Sequence, residues 1–199
     1  VRIERPGAAP LEVDSPLLGF PGAYALTAAT ALVESLLARP IDRTEITRAL
    51  TSPELGEAGR LGTIELPDGS LLIDDTYNAS PASMRSSVAV ARELAALRRS
   101  RLVLALGEMR ELGALSETAH REIGQDLALG NSELLIAFGG HARLFLAGLR
   151  NASERCWFVD DALRALELLR RERQPGDVIL IKASNGLGAK RIVEGLRGG

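Results

Sequence analysis

From about Leu71 to the end of the chain, short apolar runs of strand length alternate with stretches of helix length. This alternation is typical of βα units arranged around a parallel sheet. The apolar runs are continuous, as expected where helices cover both faces of a strand. Five strands are predicted, at residues 71–73, 102–106, 134–138, 157–159 and 178–181. The pattern predicts an α/β fold with an open, mainly parallel sheet flanked by helices.

Amphipathic segments separate these strands. The helical spacing of their apolar residues predicts helices over residues 83–97, 116–129, 142–149, 162–173 and 189–196. Ser116 and Asp161 are suitable N-caps, and Gly130 is a suitable helix stop. Because crossovers between parallel strands are right-handed, the loops that follow the strands lie along one edge, where open α/β sheets bind ligands. We therefore expect functional residues in those loops.

Residues 1–57 have a different pattern. A segment containing Pro and Gly precedes a helix of small and aliphatic residues, predicted over 24–37, and a second helix over 44–50. This segment is too short to enclose a core alone, and the apolar face of its first helix indicates a partner layer. We predict a domain boundary between residues 57 and 58, with the α/β domain over 58–199.

Composition limits the partners and the compartment. The 24 basic and 26 acidic residues give a net charge of −2, which disfavours binding to nucleic acid or to an anionic membrane. The single cysteine, Cys156, cannot form an internal disulfide, which fits a reducing cytoplasm. No apolar run approaches the length of a membrane span, and the N-terminus lacks the layout of a signal peptide. We expect a cytoplasmic protein with no membrane span and no nucleic-acid partner.

The densest polar cluster, residues 74–81, follows the first predicted strand and precedes a helix. Its two carboxylates, Asp74 and Asp75, could accept hydrogen bonds from ribose hydroxyls or complete the shell of a hydrated Mg²⁺. An equally weighted alternative is that Asp, Asn, Ser and Pro only build a turn and cap the next helix.

A second loop, residues 107–113, follows the second predicted strand. Its two glycines permit close backbone approach, and its charged side chains could bind the ammonium and carboxylate of a zwitterionic ligand: Glu108, Arg110 and Glu111. Surface charge on a turn is the commoner explanation of such a pattern. His120 lies at helical spacing from Ser116 and Ile123, which favours a structural role over a catalytic one.

The third loop, residues 182–188, ends the last predicted strand. Lys182, a hydroxyl and exposed backbone amides make it a candidate anion-binding turn. The Gly-x-x-x-x-Gly-Lys-Ser/Thr order of a P-loop is absent from the sequence. Any ATP chemistry would therefore need phosphate-binding parts from elsewhere.

These three loops, in this order, resemble the C-terminal domain of the Mur ligase family, in the branch that adds D-alanyl-D-alanine to UDP-N-acetylmuramoyl-tripeptide. Residues 74–84 resemble that branch's Asp-Asp-Ser-Tyr-Asn-Ala-Asn-Pro-x-Ser-Met signature. Residues 106–113, followed by His120, resemble its Leu-Gly-Asp-Met-x-Glu-Leu-Gly-x-x-Ser-x-x-x-His segment. Residues 176–184 are similar to its closing strand and Lys-Gly-Ser turn, and residues 59–60 to the Gly-Arg that opens its last domain.

The resemblance implies an ATP-dependent ligase that forms an amide through an acyl phosphate in peptidoglycan synthesis, and so serves cell wall biogenesis, cell shape and cell division. It implies that residues 1–57 are the end of the middle domain and 58–199 the Rossmann-like C-terminal domain. The P-loop, most ligands of ATP and Mg²⁺, and the catalytic groups would belong to the other domains. This chain would then hold no metal ligand or catalytic residue and would be inactive alone.

The resemblance also implies two sets of site residues. Arg60 and Asp75 match residues that bear on the nucleotide. A larger set matches the loops that face the incoming D-alanyl-D-alanine: Tyr77, Asn78, Ala79, Ser80, Glu108, Met109, Arg110, Lys182, Ser184 and Asn185.

Two segments depart from the family pattern. Pro21, Gly22 and Ala25 occupy the polar positions of a Gly-x-His-Asn-x-x-Asn helix start, and Ala183 and Asn185 stand where Gly and often Arg are usual. One alternative is a stand-alone binding or regulatory module that kept the amino-acid-facing loops. Another is a different amide ligase of the superfamily, such as a folylpolyglutamate or amino-acid-polymer synthetase.

Overall fold

The computed structural model of the chain describes residues 1–51, 59–130, 133–149 and 155–198. The chain divides into two compact units, Val1–Glu57 and Ala58–Gly199. The described residues of the first unit form one buried apolar cluster, and those of the second unit form two.

The first unit contains a two-stranded antiparallel hairpin and two helices. Its elements are β1 (Arg2–Ile3), β2 (Leu11–Glu12), α1 (Gly19–Leu37) and α2 (Arg43–Leu50). Their buried side chains form one small cluster: Ile3, Leu11, Val13, Leu26, Ile41, Ile46 and Leu50. The expectation that this segment is too short to enclose a core is therefore wrong. The unpredicted hairpin contributes Ile3 and Leu11 to that core.

Helix α1 begins five residues earlier than predicted. Pro21 lies in its first turn, where a missing N–H costs no intrahelical hydrogen bond. One side of the helix contributes Leu26 to the core, whereas large apolar side chains on it are exposed, with Phe20 at 81% and Leu36 at 77%. Among the described residues, α1 is the one helix long and apolar enough to cross a membrane by length and composition. The expectation that no apolar run approaches that length is wrong.

The second unit alternates strands with helices. Its elements are β3 (Gly62–Glu65), β4 (Leu71–Asp75), α3 (Pro81–Arg98), β5 (Leu102–Gly107), α4 (Ser116–Leu127), β6 (Leu134–Phe138), α5 (Arg143–Gly148), β7 (Cys156–Val159), α6 (Ala162–Glu172), β8 (Val178–Lys182) and α7 (Lys190–Arg197). Short 3₁₀ turns precede three of the helices, at Gly113–Leu115, Gly140–Ala142 and Asn185–Leu187.

Six strands of the described chain form one sheet in the order β3-β4-β8-β5-β6-β7. All neighbours are parallel except β3, which pairs antiparallel with β4 at one edge. This confirms the predicted open, mainly parallel α/β sheet but adds a sixth strand. Strand β3 was not predicted because it is largely exposed and carries no continuous apolar run.

Helices cover both faces of the sheet. Alternate strand residues point to opposite sides, so Leu104 packs with α3, α4 and α5 whereas Val103 packs with α6 and α7. The four central strands are buried along their whole length. This double covering explains the continuous apolar runs in the sequence.

The predicted helix caps have mixed outcomes. Asp161 caps α6, because its Oδ1 accepts hydrogen bonds from the backbone N–H groups of Leu163 and Arg164 at 2.8 and 2.9 Å. Ser116 is instead the first residue of α4, which continues directly from a 3₁₀ turn without a side-chain cap. The same helix ends at Leu127, and its C-cap is Ala128 in the left-handed conformation, two residues before Gly130.

Candidate functional site

The three candidate loops follow β4, β8 and β5, which are neighbours in the sheet. The parallel register sets Lys182 of β8 opposite Asp75 of β4 on one side and Leu106 of β5 on the other. The strands therefore end at the same level. The loops predicted from the sequence are brought together at the carboxyl edge of the sheet.

Asp74 and Asp75 are the last residues of β4, whereas the sequence placed them in the loop. Both are buried, with 8% of each exposed. The Oδ1 atom of Asp74 accepts hydrogen bonds from the backbone N–H and the hydroxyl of Thr76, at 3.2 and 2.7 Å. Asp74 therefore fixes the turn out of the strand, and its carboxylate faces the protein.

The carboxylate of Asp75 is held by three groups of the protein. Its Oδ2 atom accepts hydrogen bonds from Lys182 Nζ and from Ser87 Oγ, both at 2.6 Å. Its Oδ1 atom accepts a longer hydrogen bond from the backbone N–H of Leu61, at 3.3 Å. Ser87 and Leu61 were not predicted as site residues. Ser87 could have been found from the sequence, because a serine on the buried face of a helix such as α3 needs a polar partner.

Lys182 was predicted to lie in an open anion-binding turn. The structure instead makes it the last residue of β8, with 1% of the residue exposed. Its Nζ pairs with Asp75 and donates a second hydrogen bond to the backbone carbonyl of Asn78 at 2.9 Å. The ammonium group is thus hydrogen-bonded to groups within the protein, as a buried charge requires.

Arg60 and Tyr77 form an exposed stacked pair. The Arg60 guanidinium carbon lies 4.0 Å from the centroid of the Tyr77 ring, within the range of a cation–π contact. The Gly59 carbonyl accepts a hydrogen bond from the Tyr77 backbone N–H at 2.9 Å. Gly59 has a φ of +84°, and a side chain there would come within 2.9 Å of that same nitrogen. Glycine at this position therefore permits the contact between the two segments.

The rest of the first loop builds the start of α3. Ser80 is the N-cap, and its hydroxyl oxygen accepts a hydrogen bond from the backbone N–H of Ser83 at 3.3 Å. Ala79 is buried, whereas Asn78 is exposed and its side-chain oxygen accepts from the Ala79 N–H at 2.8 Å. The interpretation of this loop as a turn and helix cap is confirmed, whereas its role as a ligand site stays a prediction. It forms a turn and a cap, and it also lies at the carboxyl edge of the sheet.

Glu108, in the second loop, is tied to His141. Its Oε1 atom accepts hydrogen bonds from the backbone N–H of His141 at 3.1 Å and from the ring Nδ1 at 2.8 Å. Burial alone would raise the pKa of Glu108, but these hydrogen bonds and the charge of Arg110 outweigh it, so the pKa is lowered. Arg110 Nε lies 3.7 Å from the other carboxylate oxygen.

Met109 faces the core and not the solvent, with 1% of the residue exposed. Its backbone N–H donates to Nε2 of His120 at 2.9 Å, and Nδ1 of that ring lies 2.6 Å from the carbonyl of Ser116. The proton of the neutral ring is therefore on Nδ1. Burial lowers the pKa of His120, which keeps the ring neutral. This geometry agrees with the predicted structural role.

The third loop is bonded to the second. The hydroxyl of Ser184 accepts from the Arg110 backbone N–H at 2.8 Å, and the Ser184 N–H donates to the Glu108 carbonyl at 3.2 Å. The Arg110 guanidinium lies over Gly186, so a side chain at that position would displace it. Asn185 is exposed at the start of the adjoining 3₁₀ turn.

The candidate site residues thus fall into two groups. Polar side chains that solvent reaches at this edge can contact a ligand: Arg60, Tyr77, Asn78, Arg110 and Asn185. The remaining side chains are buried or half-buried supports: Asp75, Ala79, Ser80, Glu108, Met109, Lys182 and Ser184. Among the described residues, no group of three or more His, Cys, Asp and Glu side chains is arranged to hold a metal ion.

Comparison with known proteins identifies related chains. The family described as "Mur ligase, glutamate ligase domain" matches residues 59–185. The UDP-N-acetylmuramoyl-tripeptide–D-alanyl-D-alanine ligase of Mycobacterium leprae is 37% identical over 173 residues, which cover 77% of this chain and 33% of the relative. The ligase of the same name from Escherichia coli K12 is 31% identical over 91% of this chain and 38% of its own length. This chain therefore spans less than two fifths of these relatives.

Solved structures show the same relationship. MurF from Acinetobacter baumannii has a TM-score of 0.78 and 26% identity, over 96% of this chain and 40% of that one. MurF from Thermotoga maritima, solved in complex with ADP, has a TM-score of 0.67 and 27% identity over 89% of this chain. Because the family match covers more than half of the chain, this protein belongs to the Mur ligase family.

Proposed function

We propose that this chain is the C-terminal part of an ATP-dependent amide ligase that adds D-alanyl-D-alanine to UDP-N-acetylmuramoyl-tripeptide during peptidoglycan precursor synthesis. The observation that carries the proposal is the assembly of all three signature loops at one edge of the sheet, joined by direct hydrogen bonds. Two relatives that carry this name align with most of the chain.

We assign the two units of this chain to two domains of the ligase, and the ATP-binding parts to the rest of the enzyme. Because the relatives are more than twice as long as this chain, we assign residues 1–57 to the end of the middle domain and 58–199 to the C-terminal domain. The exposed apolar face of α1 would pack against the remainder of that middle domain. The P-loop, whose residue order is absent from this sequence, and the Mg²⁺ ligands would lie in the other domains.

Arg60 is the residue best placed to bear on the nucleotide. The Arg60 side chain is exposed and stacked on the ring of Tyr77, and a guanidinium in that position can approach phosphate or ribose oxygens. ATP supplies the phosphoryl group that activates the peptide carboxylate. Asp75 would act at this site only through its neighbours, because its carboxylate oxygens are engaged within the protein.

The dipeptide is a zwitterion and requires both a cationic and a polar contact. The side chain of Arg110 is 49% exposed and its backbone is fixed by Ser184, so its guanidinium is available to pair with the dipeptide carboxylate. Asn78, in the first loop, and Asn185, in the third, are also exposed and offer amide donors and acceptors.

The contribution of this chain to the reaction is orientation. In the proposed reaction the dipeptide amine attacks the activated carbonyl, the phosphate leaves and an amide forms. Holding the amine at a fixed position converts a bimolecular step into an effectively unimolecular one. A domain of this kind acts by closing over the middle domain of the same enzyme, in the cytoplasm where the nucleotide-linked precursor is made.

A chimera tests the proposal. The N-terminal three fifths of the E. coli relative, which precede the aligned part, would be fused to residues 1–199, and formation of the UDP-linked pentapeptide would be measured with ATP and Mg²⁺. We expect product with D-alanyl-D-alanine and none with L-glutamate or L-alanyl-L-alanine. Product with glutamate alone would instead support a different amide ligase.

The matched control is the same chimera with Arg110→Ala. We expect its KM for D-alanyl-D-alanine to rise about tenfold or more, with little change in the KM for ATP, because a carboxylate partner is lost. Binding of the dipeptide by the 199-residue chain, together with an inactive chimera, would instead support the stand-alone binding module.

A further inference from the structure

We propose that the buried Asp75–Lys182 pair couples the turn that carries Arg60, which would face the nucleotide, to the loop that carries Tyr77, which would face the dipeptide. Both residues of the pair are then positioning residues, and neither is a ligand. The assignment of the turn to the nucleotide and of the loop to the dipeptide rests on the proposed function. The pair joins the Gly59–Leu61 turn, which carries Arg60, to the Tyr77–Ser80 loop.

Asp75 holds the turn that carries Arg60. Its Oδ1 accepts from the N–H of Leu61, the residue directly after Arg60. Its Oδ2 accepts from two donors at 2.6 Å, Ser87 and Lys182. A carboxylate with three donors and 8% exposure offers little surface to a ribose hydroxyl. Asp75 therefore orients Arg60 through the backbone.

Lys182 holds the loop that carries Tyr77. Its Nζ donates to the carbonyl of Asn78, the residue directly after Tyr77, and its side chain is 2% exposed. An ammonium has three donors, and two of them are used by Asp75 and Asn78. Lys182 therefore orients the loop through the backbone as well.

The two loops also touch each other outside the pair. Tyr77 donates its backbone N–H to the Gly59 carbonyl, and Arg60 stacks on the Tyr77 ring. Arg60 and Tyr77 are thus each followed by a residue, Leu61 or Asn78, whose backbone is hydrogen-bonded to the same buried ion pair. When one member of a buried pair is removed, the other becomes an uncompensated charge, and the groups around it rearrange to solvate it.

This coupling predicts a joint effect. Loss of Lys182 should disturb both the Arg60 turn and the Tyr77 loop, and so weaken the use of ATP and of D-alanyl-D-alanine together. If Lys182 contacted the dipeptide directly, its loss would weaken only the use of the dipeptide.

Hydrogen–deuterium exchange on the 199-residue chain tests the coupling without any need for ligase activity. The variant is Lys182→Met, which keeps the apolar stem and removes the charge. We expect amide exchange at Leu61 and at Tyr77 to rise together by at least about tenfold, equivalent to about 1.4 kcal/mol of opening free energy. Asp75→Asn/Lys182→Met, a neutral pair, serves if the single variant does not fold.

Arg101→Met is the matched control, because Arg101 forms a 2.6 Å ion pair with the buried Asp177. These two residues directly precede β5 and β8, so the pair lies at the opposite edge of the sheet. We expect it to leave the exchange of Leu61 and Tyr77 unchanged. Increased exchange at Tyr77 alone, no increase at either site, or the same increase with Arg101→Met would each overturn the coupling.

Kinetics in the chimera give the second readout. We expect Lys182→Met to raise the KM values for ATP and for D-alanyl-D-alanine by similar factors. A rise confined to the dipeptide would overturn the positioning role and restore Lys182 as a ligand. An inactive chimera would count against the proposed function, whereas the exchange result on the chain would still decide the coupling.

Discussion

His120 offers the sharpest test of how the second loop is held. The ring is fully buried, accepts from the Met109 N–H at 2.9 Å and donates from Nδ1 to the Ser116 carbonyl at 2.6 Å. In His120→Ala the Met109 N–H loses its partner, at about 1–3 kcal/mol, whereas the Ser116 carbonyl keeps its helix hydrogen bond from the backbone of residue 120. We therefore expect the free energy of unfolding to fall by about 1–3 kcal/mol, before any loss of packing against Phe145.

His120→Gln is the matched variant, because its carboxamide can still accept from one N–H and donate to one carbonyl. We expect it to lose less than half as much stability as His120→Ala. The single tryptophan, Trp157, lies in β7, so its fluorescence during urea unfolding reports on the α/β unit. A loss below about 1 kcal/mol for His120→Ala, or equal losses for both variants, would contradict this account of the loop.

The same residue predicts a pH dependence. Burial lowers the pKa of His120 below its unfolded value of 6.5, so the unfolded state binds more protons below that pH. The contribution to stability is complete above pH 6.5 and is lost as the pH falls through the folded pKa. We expect the wild-type chain to lose stability progressively below that point. His120→Gln should lack this component, and an identical pH profile for both proteins would refute it.

The remaining predictions concern packing, capping and acid stability. Gly124→Ala would drive a methyl group into the Phe145 carbonyl where α4 crosses α5, and we expect a loss of about 1–3 kcal/mol in urea unfolding. Ser80→Ala removes the N-cap of α3 and should cost about 1 kcal/mol, whereas Ser80→Asp should cost much less. The pKa of Glu108 is lowered from 4.5, so its contribution to stability is complete above that pH and is lost as the pH falls through the folded pKa. Glu108→Gln should therefore flatten the acid side of the stability curve, and an unchanged acid side would count against the contact with His141.

The fold of the α/β unit could be predicted because its strands are covered on both faces. Continuous apolar runs such as 134–138 are visible without any knowledge of the partners, and the structure has that strand at Leu134–Phe138. Strand β3 lies at an exposed edge, and β1 and β2 have two residues each, so none carries such a run. Their positions depend on pairing and on local packing, which periodicity does not encode.

The location of the site could be predicted, but the direction of its side chains could not. Loops that follow parallel strands share an edge by topology, so the three signature loops had to be close. Whether Lys182 faces solvent or Asp75 depends on a partner 107 positions away in the sequence. The sequence therefore predicted an open lysine, whereas the structure has a buried ion pair. His120 was predicted correctly as structural because helical spacing alone placed it on the inner face of α4.

We propose above that this chain completes a ligase whose ATPase parts belong to other domains. The most direct measurement is ADP release by the chain with ATP, Mg²⁺, UDP-N-acetylmuramoyl-tripeptide and D-alanyl-D-alanine, before and after addition of a separately produced P-loop-containing N-terminal half. We expect dipeptide-dependent ADP release only in the mixture. No release in the mixture, while an intact ligase is active under the same conditions, would contradict it.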